Sequence, residues 1–340
     1  MARCVWMGVG LACAVVAIMI ASAALAAAAP NGVGATTTPS WHQIHPSPSP
    51  GDRNRFGMAY DPKANSTILF GGYDPFTVGI MGDTWELSSG KWTELYPTTS
   101  PSTRCNFVMV YDPVLGGILL YGGYGYTPGG GVAELNDTWL WANGTWTQLH
   151  PTSDPGPREN YAMAYDAYDS EVVLFGGLSA GVVLGDTWVY SGTTWTNMKT
   201  PASMPARQFA VAAYDSVDSQ VILVSGLGST NLGVAGTWAF HGGIWTKIKL
   251  STVAPRPTSL AMGATAANGT VLLFGGLLPT GTYVNSLWEF SGGAWHKLVY
   301  SHPPSPRKGG GFVYNSKGGD MVEFGGSDST SWLGDTWTLR

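Results

Sequence analysis

The chain has 340 residues, 44% of them hydrophobic and 12% aromatic, yet only 11% charged, with a formal net charge of −5. Ordinary soluble proteins carry about 25% charged residues, so this surface is polar but nearly neutral. With 17 basic residues against 22 acidic ones and no basic stripe, nucleic-acid binding has no electrostatic footprint.

Residues 1–29 hold one charge, Arg3, followed by an apolar run and an Ala-rich tail from Ala21 to Ala29. A basic start, an apolar middle and small residues at the exit predict a secretory signal peptide. The run is also long enough, at more than ~18 residues, to stay in a membrane as an uncleaved anchor. Several small-x-small cleavage sites favour removal. Residues 30–40 are a Gly/Thr/Pro spacer. The expected location is therefore outside the cell or at its surface. Cys4 and Cys13 leave with the leader, so Cys105 stands alone and no internal disulfide is available.

From residue 41 to 340 one pattern recurs. An Arg opens each unit at Arg53, Arg104, Arg158, Arg207, Arg256 and Arg307, at spacings of 51, 54, 49, 49 and 51. Seven residues later stands Tyr60, Tyr111, Tyr165, Tyr214 or Tyr314, with Gly263 the one departure. A β-prone run then ends in a glycine pair, as at Gly71-Gly72 and Gly122-Gly123; unit four keeps only Gly226, preceded by Ser225. Two Trp follow seven residues apart, the second being Trp92, Trp146, Trp195, Trp245 or Trp295. Unit six lacks the second Trp, and Trp41-His42-Gln43-Ile44-His45-Pro46 reads like Trp146-Thr147-Gln148-Leu149-His150-Pro151. The N-terminal segment thus supplies the piece that the last unit lacks.

Within unit one, Phe56–Tyr60, Thr67–Phe70, Thr84–Leu87 and Lys91–Leu95 read as four short strands between turn residues. No apolar pattern at helical period is sustained beyond the first 30 residues. The Asp after each Tyr suits a turn cap, Asn143-Gly144 suits a two-residue hairpin, and the repeated Trp suit packing between units. Each opening Arg is expected to pair with an Asp such as Asp83, Asp137, Asp186 or Asp335, tying adjoining strands or blades together. Units four and five have Gly236 and Ser286 at that position, which leaves Arg207 and Arg256 without an evident partner.

A period near 50 with Gly-Gly and paired Trp resembles the kelch repeat, of the kind found in the central domain of galactose-oxidase-like proteins. The resemblance covers residues 41–340. It implies an all-β, six-bladed propeller with four antiparallel strands per blade, whose last blade takes its outer strand from residues 41–45.

The copper chemistry of that oxidase branch needs a Tyr cross-linked to a Cys, two His and a second Tyr. Here only Cys105 is available, and His45, His150 and His302 sit in Pro-rich links of different units. Nucleophile elbows, phosphate loops and zinc-protease motifs are absent. No catalytic residue, metal or cofactor is therefore expected. Function should lie in the variable loops between the second and third strands. Those of units one, two and six carry Tyr73, Phe76, Tyr124, Tyr126 and Trp332, which would gather on one sector of one face, near Asp74, Asn136 and Asp328. Flat aromatics there suit a sugar ring or an extended peptide. The resulting expectation is a monomeric, non-catalytic binding propeller for an extracellular protein or glycan. The alternative is an extracellular carbohydrate-active hydrolase, lyase or oxidase on the same scaffold.

Overall fold

The computed structural model describes residues 38–76, 79–200, 204–255 and 259–340. The expected leader over 1–29, nearly all of the spacer and Arg256 lie outside the described residues. The rest forms six antiparallel sheets, each following the one before it in a closed ring.

The chain enters at β1 (Trp41–Ile44). Blade one follows with β2 (Gly57–Asp61), β3 (Ser66–Asp74), β4 (Gly79–Ser88) and β5 (Lys91–Leu95). Blade two has a split inner strand, β6 (Arg104–Cys105) and β7 (Met109–Asp112), then β8 (Gly117–Tyr126), β9 (Val132–Ala142) and β10 (Thr145–Leu149). Blade three is β11 (Ala162–Asp166), β12 (Glu171–Ser179), β13 (Val182–Tyr190) and β14 (Trp195–Asn197). Blade four is β15 (Val211–Asp215), β16 (Gln220–Val224), β17 (Thr237–His241) and β18 (Ile244–Lys247). Blade five is β19 (Met262–Thr265), β20 (Val271–Phe274), β21 (Leu287–Ser291) and β22 (Ala294–Lys297). Blade six is β23 (Gly311–Asn315), β24 (Asp320–Ser327) and β25 (Trp332–Leu339), and β1 completes it. The closing register runs from Trp41 opposite Leu339 to Ile44 opposite Thr336. Closure covers the β25 edge of the last blade, with β1 as its outermost strand, and joins the two ends of the domain.

The core lies between blades rather than at the centre of the ring. On β3, Ile68 and Phe70 pack with Phe107, Met109 and Trp146 of blade two. Leu69, between them, packs with Val322 and Phe324 of blade six. This is the period-two alternation of a strand with both faces covered. Each outer Trp is buried, and its indole N–H crosses to the preceding blade. Trp92 donates to Thr336, Trp146 to Thr84, Trp195 to Thr138, Trp245 to Thr187 and Trp295 to Thr237, at 2.9–3.2 Å. Trp41 is the exception. The matching position in blade five is Leu287, so Trp41 packs on Phe274 with its N–H buried and unpartnered among the described residues.

The glycine pairs bend the second strand and let the next blade approach. Gly71 and Gly72 have φ of 65° and 110°, in the left-handed region that favours glycine, and a Cβ on Gly71 would stand 2.6 Å from the Arg104 carbonyl oxygen. Opening-Arg carbonyls accept from the second glycine of the preceding blade, for example Arg158 from Gly123 and Arg53 from Gly326. The blades are thus joined through the Arg backbone. The guanidinium works inside its own blade: Arg53, Arg104, Arg158 and Arg307 grip Asp83, Asp137, Asp186 and Asp335 at 2.7–2.9 Å. The expected pairs exist, and they tie strands rather than neighbouring blades.

Unit five departs from the register read in the sequence. Thr265, not Gly263, pairs opposite Val271 as Tyr60 pairs opposite Thr67, and Ser259 bridges Leu277 as Asn54 bridges Tyr73. Ser259 and Leu260 thus stand where Asn54 and Arg55 stand in unit one, and the head of unit five lies outside the described residues. Gly263 faces the neighbouring strand instead, where a Cβ would stand 2.2 Å from Val211 Cγ1.

Candidate functional site

The inner strands surround a channel of about 590 Å³. Its two ends differ because the repeat treats them differently. At one end stand Tyr60, Tyr111, Tyr165, Tyr214 and Tyr314, with Thr265 in the sixth place. Burial raises the phenol pKa of Tyr111, Tyr165 and Tyr214. The adjacent Asp caps the turn as expected: Asp61 accepts from the Lys63 N–H at 2.9 Å, and Asp112 from Val114 at 2.8 Å.

The other end, on the face of the loops between second and third strands, is built from the residue two after each unit's head. These are Arg55, Asn106, Asn160, Phe209, Leu260 and Gly309, all with φ between 54° and 68°. Left-handed backbone is uncommon for side chains other than Gly, Asn and Asp. Here it is over-determined by a belt of backbone hydrogen bonds, five of the six N–H groups donating to their counterpart in the preceding blade. Arg55 donates to Gly309, Asn106 to Arg55, Asn160 to Asn106, Phe209 to Asn160 and Gly309 to Leu260, at 2.8–2.9 Å.

The belt fixes six equivalent backbone positions, and five different residues occupy them. Blades one to three present Arg55, Asn106 and Asn160, whereas blades four to six present Phe209, Leu260 and Gly309. Asn106 Nδ2 donates to Glu159 Oε2 at 2.6 Å. Burial raises the Glu159 pKa, opposed by the Asn106 bond, reinforced by Glu134 and opposed again by Arg55. Arg55 Nε and Asn106 Oδ1 are buried without a partner among the described residues, so the polar half of the mouth keeps unused hydrogen-bonding capacity.

The expected aromatics divide into two groups. Tyr73 of blade one and Trp332 of blade six meet edge to face, centroids 5.5 Å apart. Phe76 and Tyr126 project into solvent, 76% and 48% exposed. Tyr124 is half-buried, its backbone paired opposite Cys105 and Glu134. Asp52 and Asp74 lie near the Tyr73–Trp332 seam: burial raises the Asp52 pKa, and Asp74 and Asp335 raise it further. Asp328 and Asn136 are already engaged. Asp328 caps its own loop through the N–H groups of Thr330 and Ser331 at 2.8 and 2.7 Å, while Asn136 contacts Asp154.

The model of the KLHDC2/KLHL20/DRC7 Kelch-repeats domain matches residues 33–226, more than half of the chain. The protein belongs to this Kelch-repeat family. No curated protein matches it.

This Kelch propeller brings together no group of three or more His, Cys, Asp or Glu side chains able to hold a metal among the described residues. Cys105 is buried, and burial pushes its thiol up to about 12, far from a reactive thiolate. The belt residues were not singled out in the sequence. Their one signal is the offset of two from each unit's head, which the misplaced head of unit five hides.

Proposed function

We propose that this protein is a secreted or cell-surface, non-catalytic Kelch propeller that binds an extracellular protein or glycan over blades six, one and two. One observation carries the reading: the channel mouth is where six structurally equivalent positions carry five different residues, polar in blades one to three and not in blades four to six. A repeat uses identical residues to build itself and differing ones to recognise something else. Tyr73, Phe76, Tyr124, Tyr126 and Trp332 would supply the contact surface, with Arg55, Asn106 and Glu159 reached from its inner edge. Aromatic faces beside the exposed Asp52 favour the glycan arm, since carboxylates accept from sugar hydroxyls while rings stack on the sugar.

The test is to screen the protein against arrayed glycans and a displayed peptide library, then repeat every hit with Arg55→Ala. The reading expects a saturable ligand in one of the two sets, with affinity reduced in the variant. Ligands that bind equally well to Arg55→Ala, or the absence of any in both sets, would contradict it. A hit that the protein chemically alters would instead favour the enzyme alternative.

A further inference from the structure

Four blades hold a carboxylate in the same cradle. The Asp83 carboxylate takes both terminal nitrogens of Arg53 at 2.7 and 2.8 Å and the Trp85 indole N–H at 2.6 Å. Asp137, Asp186 and Asp335 repeat the arrangement with Trp139, Trp188 and Trp337 at 2.6–2.7 Å. Blade five lacks the acid, and there Ser286 Oγ accepts from Trp288 Nε1 at 3.3 Å.

Blade four does something different, keeping both donors and losing only the acid. Arg207 is anchored like its counterparts, with Nε on the Pro205 carbonyl at 3.2 Å and Nη1 on the Ser225 carbonyl at 3.0 Å. In Arg104 the same two bonds run to Ser102 and Gly122 at 3.0 and 2.9 Å, and Nη2 then reaches Asp137. In Arg207 the Nη2 group is buried with no partner among the described residues, and so is Trp238 Nε1. Arg207 and Trp238 are only 0% and 6% exposed. Gly236 stands where the acid would be. A Cβ there would lie 3.3 Å from both Lys247 Cε and Trp238 Nε1 and 3.9 Å from Lys247 Nζ. Two buried donors, one of them the Arg207 cation, and the exposed ammonium of Lys247 therefore border one spot, and a buried charge without a counter-charge is costly. Burial alone brings the Arg207 pKa down to about 10, so it remains a cation at neutral pH.

We propose that blade four takes a small monocarboxylate of acetate or formate size between Arg207 and Trp238, with Lys247 as the outer contact. The size follows from the sequence: what glycine lacks relative to aspartate is a CH2–COO⁻ group, and acetate supplies it. The bidentate, planar geometry is that of Arg with a carboxylate. Access follows from the sister sites, where the bound Asp side chains are 21–30% exposed.

The test titrates the full-length protein with sodium acetate and sodium formate at pH 7, with sodium chloride holding ionic strength constant. Binding is read by calorimetry and by melting temperature. Saturable binding and a concentration-dependent rise in melting temperature are expected. Trp238→Phe and Arg207→Met should each weaken the affinity at least tenfold. Trp188→Phe, at a cradle filled by Asp186, should leave the affinity unchanged. No saturable binding, an equal response to chloride, or undiminished affinity in Trp238→Phe would each overturn the assignment, and the Trp238→Phe result holds even if Arg207→Met fails to fold.

Discussion

A threonine hydroxyl carries more of this fold than its sequence suggests. Thr84 accepts the indole N–H of Trp146 from the next blade, so Thr84→Val keeps the volume and strands a buried donor. That should cost about 1–3 kcal/mol, measured by urea denaturation against wild type; a loss below the error of that experiment would demote these bonds. The Trp residues were legible because a large aromatic at fixed spacing is conspicuous. Their acceptors were not, because Thr in a strand is an ordinary β-former. Glu323 makes a second residue-scale case. It is fully buried beside Arg307, which also holds Asp335. Burial, opposed by Arg307 and reinforced by Asp335, raises the Glu323 pKa to about 8. An acid raised in the folded state binds more protons folded than unfolded, so its contribution to stability declines as pH rises from about 4.5 to 8. Asp83, Asp137, Asp186 and Asp335 behave oppositely. Burial pushes each up, Arg and Trp donors outweigh it, and the net lowering stabilises the fold above the ordinary Asp value. Glu323→Gln should flatten the decline between about pH 5 and 8 while leaving the acid limb in place. An identical alkaline slope in the variant would rule out Glu323 as its source.

At the scale of the element, the closing strand is decisive. β1 covers β25 over four residue pairs and delivers Trp41 against Phe274 and Phe312. Trp41→Ala should destabilise by about 3–5 kcal/mol, as for other buried Trp truncations, and deletion of residues 30–47 should lower the melting temperature further. An unchanged melt in the deletion would contradict closure by this strand. The count of blades, the four strands of each and this closure were all readable, since each rests on markers repeated in register. Unit five was misread for a local reason. Pro255-Arg256-Pro257 offers an Arg at the expected spacing, but the ladder from Thr265 opposite Val271 determines the register. The strands also run longer than read, β3 reaching Asp74 rather than Phe70. The glycine bulge lets the ladder resume at Gly72 opposite Met81.

For the whole molecule, the ring separates two tasks. Arg, Asp, Trp and Gly recur, the Arg–Asp pairs bracing each blade and the Trp and Gly joining it to its neighbour, so they report the fold and are silent about the ligand. The αL belt turns the same six backbone positions into a mouth with a polar half and an apolar half, and only the structure shows that these side chains share one opening. The aromatic residues in the loops were visible in the sequence; the contact between Tyr73 and Trp332 across the blade six–blade one seam was not. The central claim is that this face binds a ligand through those rings. The most direct measurement is the affinity of Tyr126→Ala/Trp332→Ala for a ligand found by the array screen, taken together with its melting temperature. Stacking is worth about 1–2 kcal/mol per ring, so affinity should fall at least tenfold while the melt stays within a degree or so of wild type. Binding that survives the double substitution, or a melt that falls along with it, would show that these rings pack the propeller and do not contact the ligand.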